Sequence, residues 1–108
     1  MLTGALFMTR LSCNDQEIPL NGFTQRYIAN MIIGIARSFG DLSQDLSVYI
    51  NDDELRVESS RGQLNIEKDF AKELIQSTIK GILSPLKGIF WRQKIKITVT
   101  QDIVPQNI

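Results

Sequence analysis

Residues 23–40, FTQRYIANMIIGIARSFG, and residues 70–88, FAKELIQSTIKGILSPLKG, read as two broad-faced amphipathic helices, and the second echoes the first. An offset of about 47 residues, a period at which repeated units are sought, matches Phe23 with Phe70, Ile28 with Ile75, Ile32 with Ile79, Gly34 with Gly81 and Ile35 with Ile82. Tyr27 then faces Leu74, and Phe39 faces Leu86. The expected apolar faces are Phe23, Tyr27, Met31, Ile32, Ile35 and Phe39 in the first helix, and Phe70, Leu74, Ile75, Ile79, Ile82 and Leu83 in the second. Faces this wide need a sheet to cover them. Gly34 and Gly81, which cost helix stability, are expected at close packing contacts.

Around the helices the period falls from 3.6 to 2. Strands are expected at Leu2–Ser12 and Glu17–Leu20, separated by a turn on Asn14 and Asp15. Pro19 places the second of these at an edge. Asn21 is the expected N-cap of the first helix and Gly40 its left-handed stop. Leu46, Val48 and Ile50 alternate with polar residues, turn at Asn51–Asp53, and continue through Leu55 and Val57 as a hairpin. Ser59–Gly62 turns again, Leu64–Ile66 is a short strand, and Pro85 stops the second helix near Ser84. Ile95, Ile97 and Val99 alternate with Lys94, Lys96, Thr98 and Thr100 as the clearest strand.

The fold class that follows is α+β: internally duplicated ββαβ units form one largely antiparallel sheet of about six strands, with both helices on one face. Residues 1–108 are one domain, with repeat one at about 4–51, repeat two at about 53–101 and a tail at 102–108. Ser47, Tyr49, Arg56, Glu58, Lys94, Lys96, Thr98 and Thr100 should point away from the helices. That face is expected to stay in water, and dimerisation through it or through an exposed edge is the rival reading.

Composition narrows function by exclusion. Twelve basic and twelve acidic residues cancel, so no bulk field steers the molecule to nucleic acid or an anionic membrane. The chain has no histidine, which removes the commonest general base and metal ligand, and Cys13 is its one cysteine, so no intrachain disulfide forms. A reduced cytoplasm is the expected compartment, with no secretory signal and no membrane span. No phosphate loop, calcium loop or nucleophile with its base is legible. Asp52 and Asp53 read as turn formers. No cofactor and no metal site are expected.

One segment stands out. Residues 80–96, KGILSPLKGIFWRQKIK, hold five cations, no acid and the single Trp. Lys87, Trp91, Arg92, Lys94 and Lys96 are therefore the candidate binding residues: a basic, aromatic-bearing loop to grip a phosphate backbone, stack a base or anchor a protein. The competing structural reading has Ile89, Phe90 and Trp91 closing the core while the cations complement the end of the second helix. The leading expectation is a small cytoplasmic binding or protein-interaction domain, homodimeric, with a protein partner and no catalytic machinery. A nucleic-acid-associated module using 80–96 is the alternative, and an enzyme with a non-standard site the third.

Overall fold

The computed structural model describes residues 4–43, 45–51, 54–86 and 94–104. The elements run β1 (Gly4–Cys13), β2 (Gln16–Ile18), α1 (Gly22–Ser38), β3 (Leu46–Asn51), β4 (Glu54–Ser59), β5 (Gly62–Gln63), α2 (Asp69–Leu83) and β6 (Ile95–Val104). The class is α+β, with two helices and a six-stranded sheet ordered β2-β1-β6-β3-β4-β5, every neighbouring pair antiparallel. No helix among the described residues is long and apolar enough to cross a membrane.

Local chemistry accounts for the boundaries. Asn14 and Asp15 both have positive φ, the pattern of a two-residue type I′ hairpin that matches strand twist. Asn21 caps α1 by accepting the Thr24 N–H at 2.8 Å. At the other end Gly40 takes φ +79, its N–H donating to the Arg37 carbonyl while the Asp41 N–H reaches the Ala36 carbonyl. This is a Schellman stop. The β4–β5 turn instead places Gly62 at φ +116, a backbone conformation that residues with a Cβ rarely adopt. Leu64–Ile66, expected as a strand, lies outside regular structure, because β5 ends after two residues and only the Leu64 N–H continues the ladder, to the Val57 carbonyl.

The sheet has a pseudo-two-fold plan. Exchanging β1 with β4, β2 with β5 and β3 with β6 turns the strand order into itself read backwards. Registers follow the same exchange: Leu11↔Ile97 becomes Val57↔Val48, Cys13↔Ile95 becomes Ser59↔Leu46, and Cys13↔Gln16 becomes Ser59↔Gly62. The pair Val48↔Ile97 maps onto itself, so the axis passes through it.

One sheet face carries the core. Leu11, Cys13, Leu46, Val48, Ile50, Val57, Ile95, Ile97 and Val99 are buried there with Ile28, Ala29, Ile32, Ile33 and Ala36 of α1 and Ile75, Ile79 and Leu83 of α2. Burying each large aliphatic side chain contributes roughly 1.5–3 kcal/mol, so these rows set the register of β1, β3, β4 and β6, while β2 and β5 follow from their tight turns. A polar clamp fixes α1 to β1: the buried Thr9 hydroxyl donates to the Gln25 carbonyl at 2.7 Å, and Gln25 Nε2 donates to the Leu20 carbonyl.

The helix faces depart from expectation. Phe23, Tyr27 and Phe39 in the α1 segment and Phe70 and Leu74 in α2, all assigned to the core from sequence, are exposed. At about 100° per residue Phe23 falls half a turn from Ile32, and Phe70 half a turn from Ile79. The stripe of Ile28, Ile32 and Ala36 in α1 and of Ile75, Ile79 and Leu83 in α2 faces the sheet, and the large residues on the opposite side and at the helix ends are left outside. The glycines are corrected too: a Cβ on Gly34 or Gly81 meets nothing within 4 Å, so no close packing explains them.

Gly34→Ala and Gly81→Ala should therefore each raise stability, by up to about 1 kcal/mol. Thermal unfolding of the two single variants checks this, and a lowered midpoint in either would show a packing contact at that glycine.

Candidate functional site

The face of the sheet away from the helices is open, and its residues pair in rows across the strands. One row runs Glu17, Ser12, Lys96, Tyr49, Arg56, and the next runs Arg10, Thr98, Ser47, Glu58, Gln63. Tyr49 stands between two cations: the Arg56 guanidinium lies 4.3 Å from its ring centroid and the Lys96 ammonium 5.5 Å. Such contacts are worth about 0.5–1 kcal/mol at exposed sites, enough to orient the side chains. Arg56 also pairs with Glu58, Nε to Oε1 at 3.2 Å, with both side chains close to half exposed. A surface pair of this kind adds little stability and partly neutralises the guanidinium.

An open cleft of about 790 Å³ lies beside this row. Ser12, Tyr49, Arg56, Lys72, Lys94 and Lys96 supply its donors, while Asp15 and Glu54 bring negative charge to the same walls. Of the residues singled out from the sequence, Lys94 and Lys96 come together here. Lys94 is exposed just before β6 and its carbonyl accepts the Asn14 N–H at 2.7 Å. Lys87, Trp91 and Arg92 lie outside the described residues, as do Ile89, Phe90, Asp52 and Asp53. Cys13 is buried. Among the described residues no three His, Cys, Asp or Glu side chains are grouped to hold a metal ion.

The second surface is the outside of the helices. Phe23 is 65% exposed, Tyr27 54%, Phe70 74% and Leu74 56%, and these are the same two positions in each helix. Phe23 and Tyr27 lean together with ring centroids 5.8 Å apart. The open Gly34 and Gly81 continue the same outward stripe in both helices. Sequence reasoning missed this surface because it assigned every large apolar residue to the core. A signal was present: Phe23, Tyr27 and Gly34 fall on one angular side, away from Ile28, Ile32 and Ala36.

A third feature is structural. Asp41, buried just past the Schellman stop, accepts the Ser43 N–H at 2.8 Å and the Ser59 hydroxyl at 2.6 Å. It ties the end of α1 to β4. The side-chain hydrogen bonds from Ser43 and Ser59, with the Ser43 backbone and the Arg61 charge adding to them, outweigh desolvation and lower its pKa from the usual 3.8 to about 2.

No known protein family, curated protein or solved structure matches this chain.

Because the folded pKa of Asp41 is depressed, its contribution is complete above the ordinary value of 3.8 and is lost as pH falls through about 2. Asp41→Asn should lower the midpoint of unfolding at neutral pH and flatten the stability profile between pH 3.8 and 2. Denaturant melts at several pH values check both; a variant profile parallel to that of the parent would remove Asp41 from the acid response.

Proposed function

We propose that the protein is a small protein-interaction domain whose recognition surface is the outward face of α1 and α2. The observation that carries this is the matched exposure of Phe23 and Tyr27 with Phe70 and Leu74. Each pair offers on the order of 200 Å² of exposed side chain, as its own patch at the start of its helix. That is about a quarter of one partner's share in a standard interface of roughly 800 Å² per side. A single docked segment suits either patch better than a whole globular face does.

Charge selects the segment on α1, while on α2 the exposed Asp69 and Glu73 stand beside Phe70 and Leu74. α1 from Gly22 to Ser38 contains the exposed Arg26 and Arg37 and no acidic residue. The fitting partner is therefore an amphipathic helix that combines apolar anchors with Asp or Glu, laid against the stripe as in helix-groove recognition. Gly34 and Gly81 support the same reading, since each costs stability that no internal contact explains and each leaves the backbone open to close approach.

A labelled synthetic helix with leucine anchors and glutamate flanks is the probe. It should bind, by fluorescence anisotropy, more tightly than the same helix with lysine flanks. Phe23→Asp and Phe70→Asp should each weaken it by at least about tenfold with circular dichroism unchanged. Absence of binding to the glutamate helix, or binding indifferent to both substitutions, overturns the proposal.

A second reading has its own observation, the row Lys96, Tyr49, Arg56 with Lys94 at its end, which offers cations and one ring to a single-stranded nucleic acid. Glu54, Glu58 and Asp15 on the same ground weaken the field, which is why it stands second. Single-stranded oligonucleotide binding that falls with salt and drops with Tyr49→Ala and Lys96→Glu would promote it. A parent protein that binds none at low salt would dismiss it.

A further inference from the structure

The sheet is not equally wide along its length. β3 pairs with β6 only from Ile95 to Val99, and β2 pairs with β1 only from Leu11 to Cys13. β1 and β6 go on pairing with each other as far as Gly4↔Val104. Gly4–Met8 and Thr100–Val104 thus form a two-stranded ribbon, with no third strand on either edge among the described residues. The long axis of the molecule, 48 Å against 32 and 20 Å for the others, accommodates this extension. A two-stranded antiparallel ribbon alone is at best marginal in water.

The outer edge of β1 can be read group by group. Cys13↔Gln16 closes the two-residue turn, so Cys13 and Leu11 turn their N–H and C=O towards β2. By alternation Thr9, Phe7 and Ala5 turn theirs to the same side. The Thr9 N–H is covered by the Gln25 side-chain oxygen at 3.4 Å. For Ala5 and Phe7 no strand is there among the described residues. Elsewhere the edges are short or charged: β2 has three residues and is followed by Pro19, β5 has two, the part of β4 that β5 leaves uncovered carries Glu54 and Arg56, and the part of β6 beyond β3 carries Asp102. The stretch Gly4–Met8, GALFM, has neither a charge nor a proline to discourage pairing.

We infer that this edge pairs with the same edge of a second copy, antiparallel about a two-fold axis at Leu6. Ala5 of one copy then faces Phe7 of the other, and since both direct their backbone groups outwards each such pair exchanges two hydrogen bonds. A like copy fits because the segment is uncharged and meets no repulsion across the axis. The result is one sheet continuous through both molecules, with the helix faces left clear. This inference does not depend on the helix-face reading.

The test is light scattering across a concentration series together with amide exchange on the intact protein. The parent should be a dimer in which the Ala5 and Phe7 amides exchange slowly and in a concentration-dependent way. Phe7→Pro removes an outward N–H and no hydrogen bond within the described sheet, so it should give a folded monomer. A parent that stays monomeric, a dimer with rapidly exchanging Ala5 and Phe7 amides, or a dimer that survives in folded Phe7→Pro overturns the inference. Should the variant fail to fold, the exchange pattern of the parent decides alone.

Discussion

The pairing of Val48 with Ile97 at the centre of the sheet is the constraint on which the rest of the fold hangs. Both side chains are buried, and the strands that carry them are exchanged between halves: β6 of the second half lines up with β1 of the first, and β3 of the first with β4 of the second. Neither ββαβ half holds a complete sheet by itself. The helices have an apolar floor only because the last strand of each half fills the middle, so strand pairing and helix burial are one cooperative event.

The two halves share a plan but not their polar chemistry. Thr9 and Gln25 clamp α1 in the first half; their counterparts under the exchange, Leu55 and Lys72, line the wall of a cleft instead. α1 ends in a hydrogen-bonded Schellman stop continued by the Asp41 tie, whereas α2 runs from Lys68 without a side-chain cap to Ser84 in ordinary helical geometry. The second half keeps Gln76 and Lys80 half-buried where the first has Ala29 and Ile33 in the core.

Much of the architecture was legible because its signals are local. Alternation at Leu46–Ile50 and Ile95–Val99, the Asn14–Asp15 turn, the Asn21 cap and the Gly40 stop each follow from a few neighbouring residues. The polar sheet face was legible for the same reason, since a period of two assigns Tyr49, Arg56, Lys96 and Thr98 to one side once their neighbours are core. The helix faces were not. Hydrophobicity counts Phe23 and Phe70 as core candidates, and only the angular competition with the isoleucines, decided by how much sheet lies beneath each helix, sends them outward. Exposure of a large residue is a property of the assembled layers and not of its own segment.

The ladder between β1 and β6 ties residues near one end of the chain to residues near the other, with Gly4 opposite Val104. A contact of that span costs loop-closure entropy before it returns any burial, and folds dominated by such contacts are slow. During synthesis β1 waits for every element up to β6 to emerge before its central partner exists, and until then the hairpin of β3 and β4 is the strand pair nearest the future axis among the described residues. Topology favours local hairpins first and the middle of the sheet, with the helices it carries, last. Until β6 arrives, the edge of β1 that faces it has no partner, and that is the state most open to aggregation on the route.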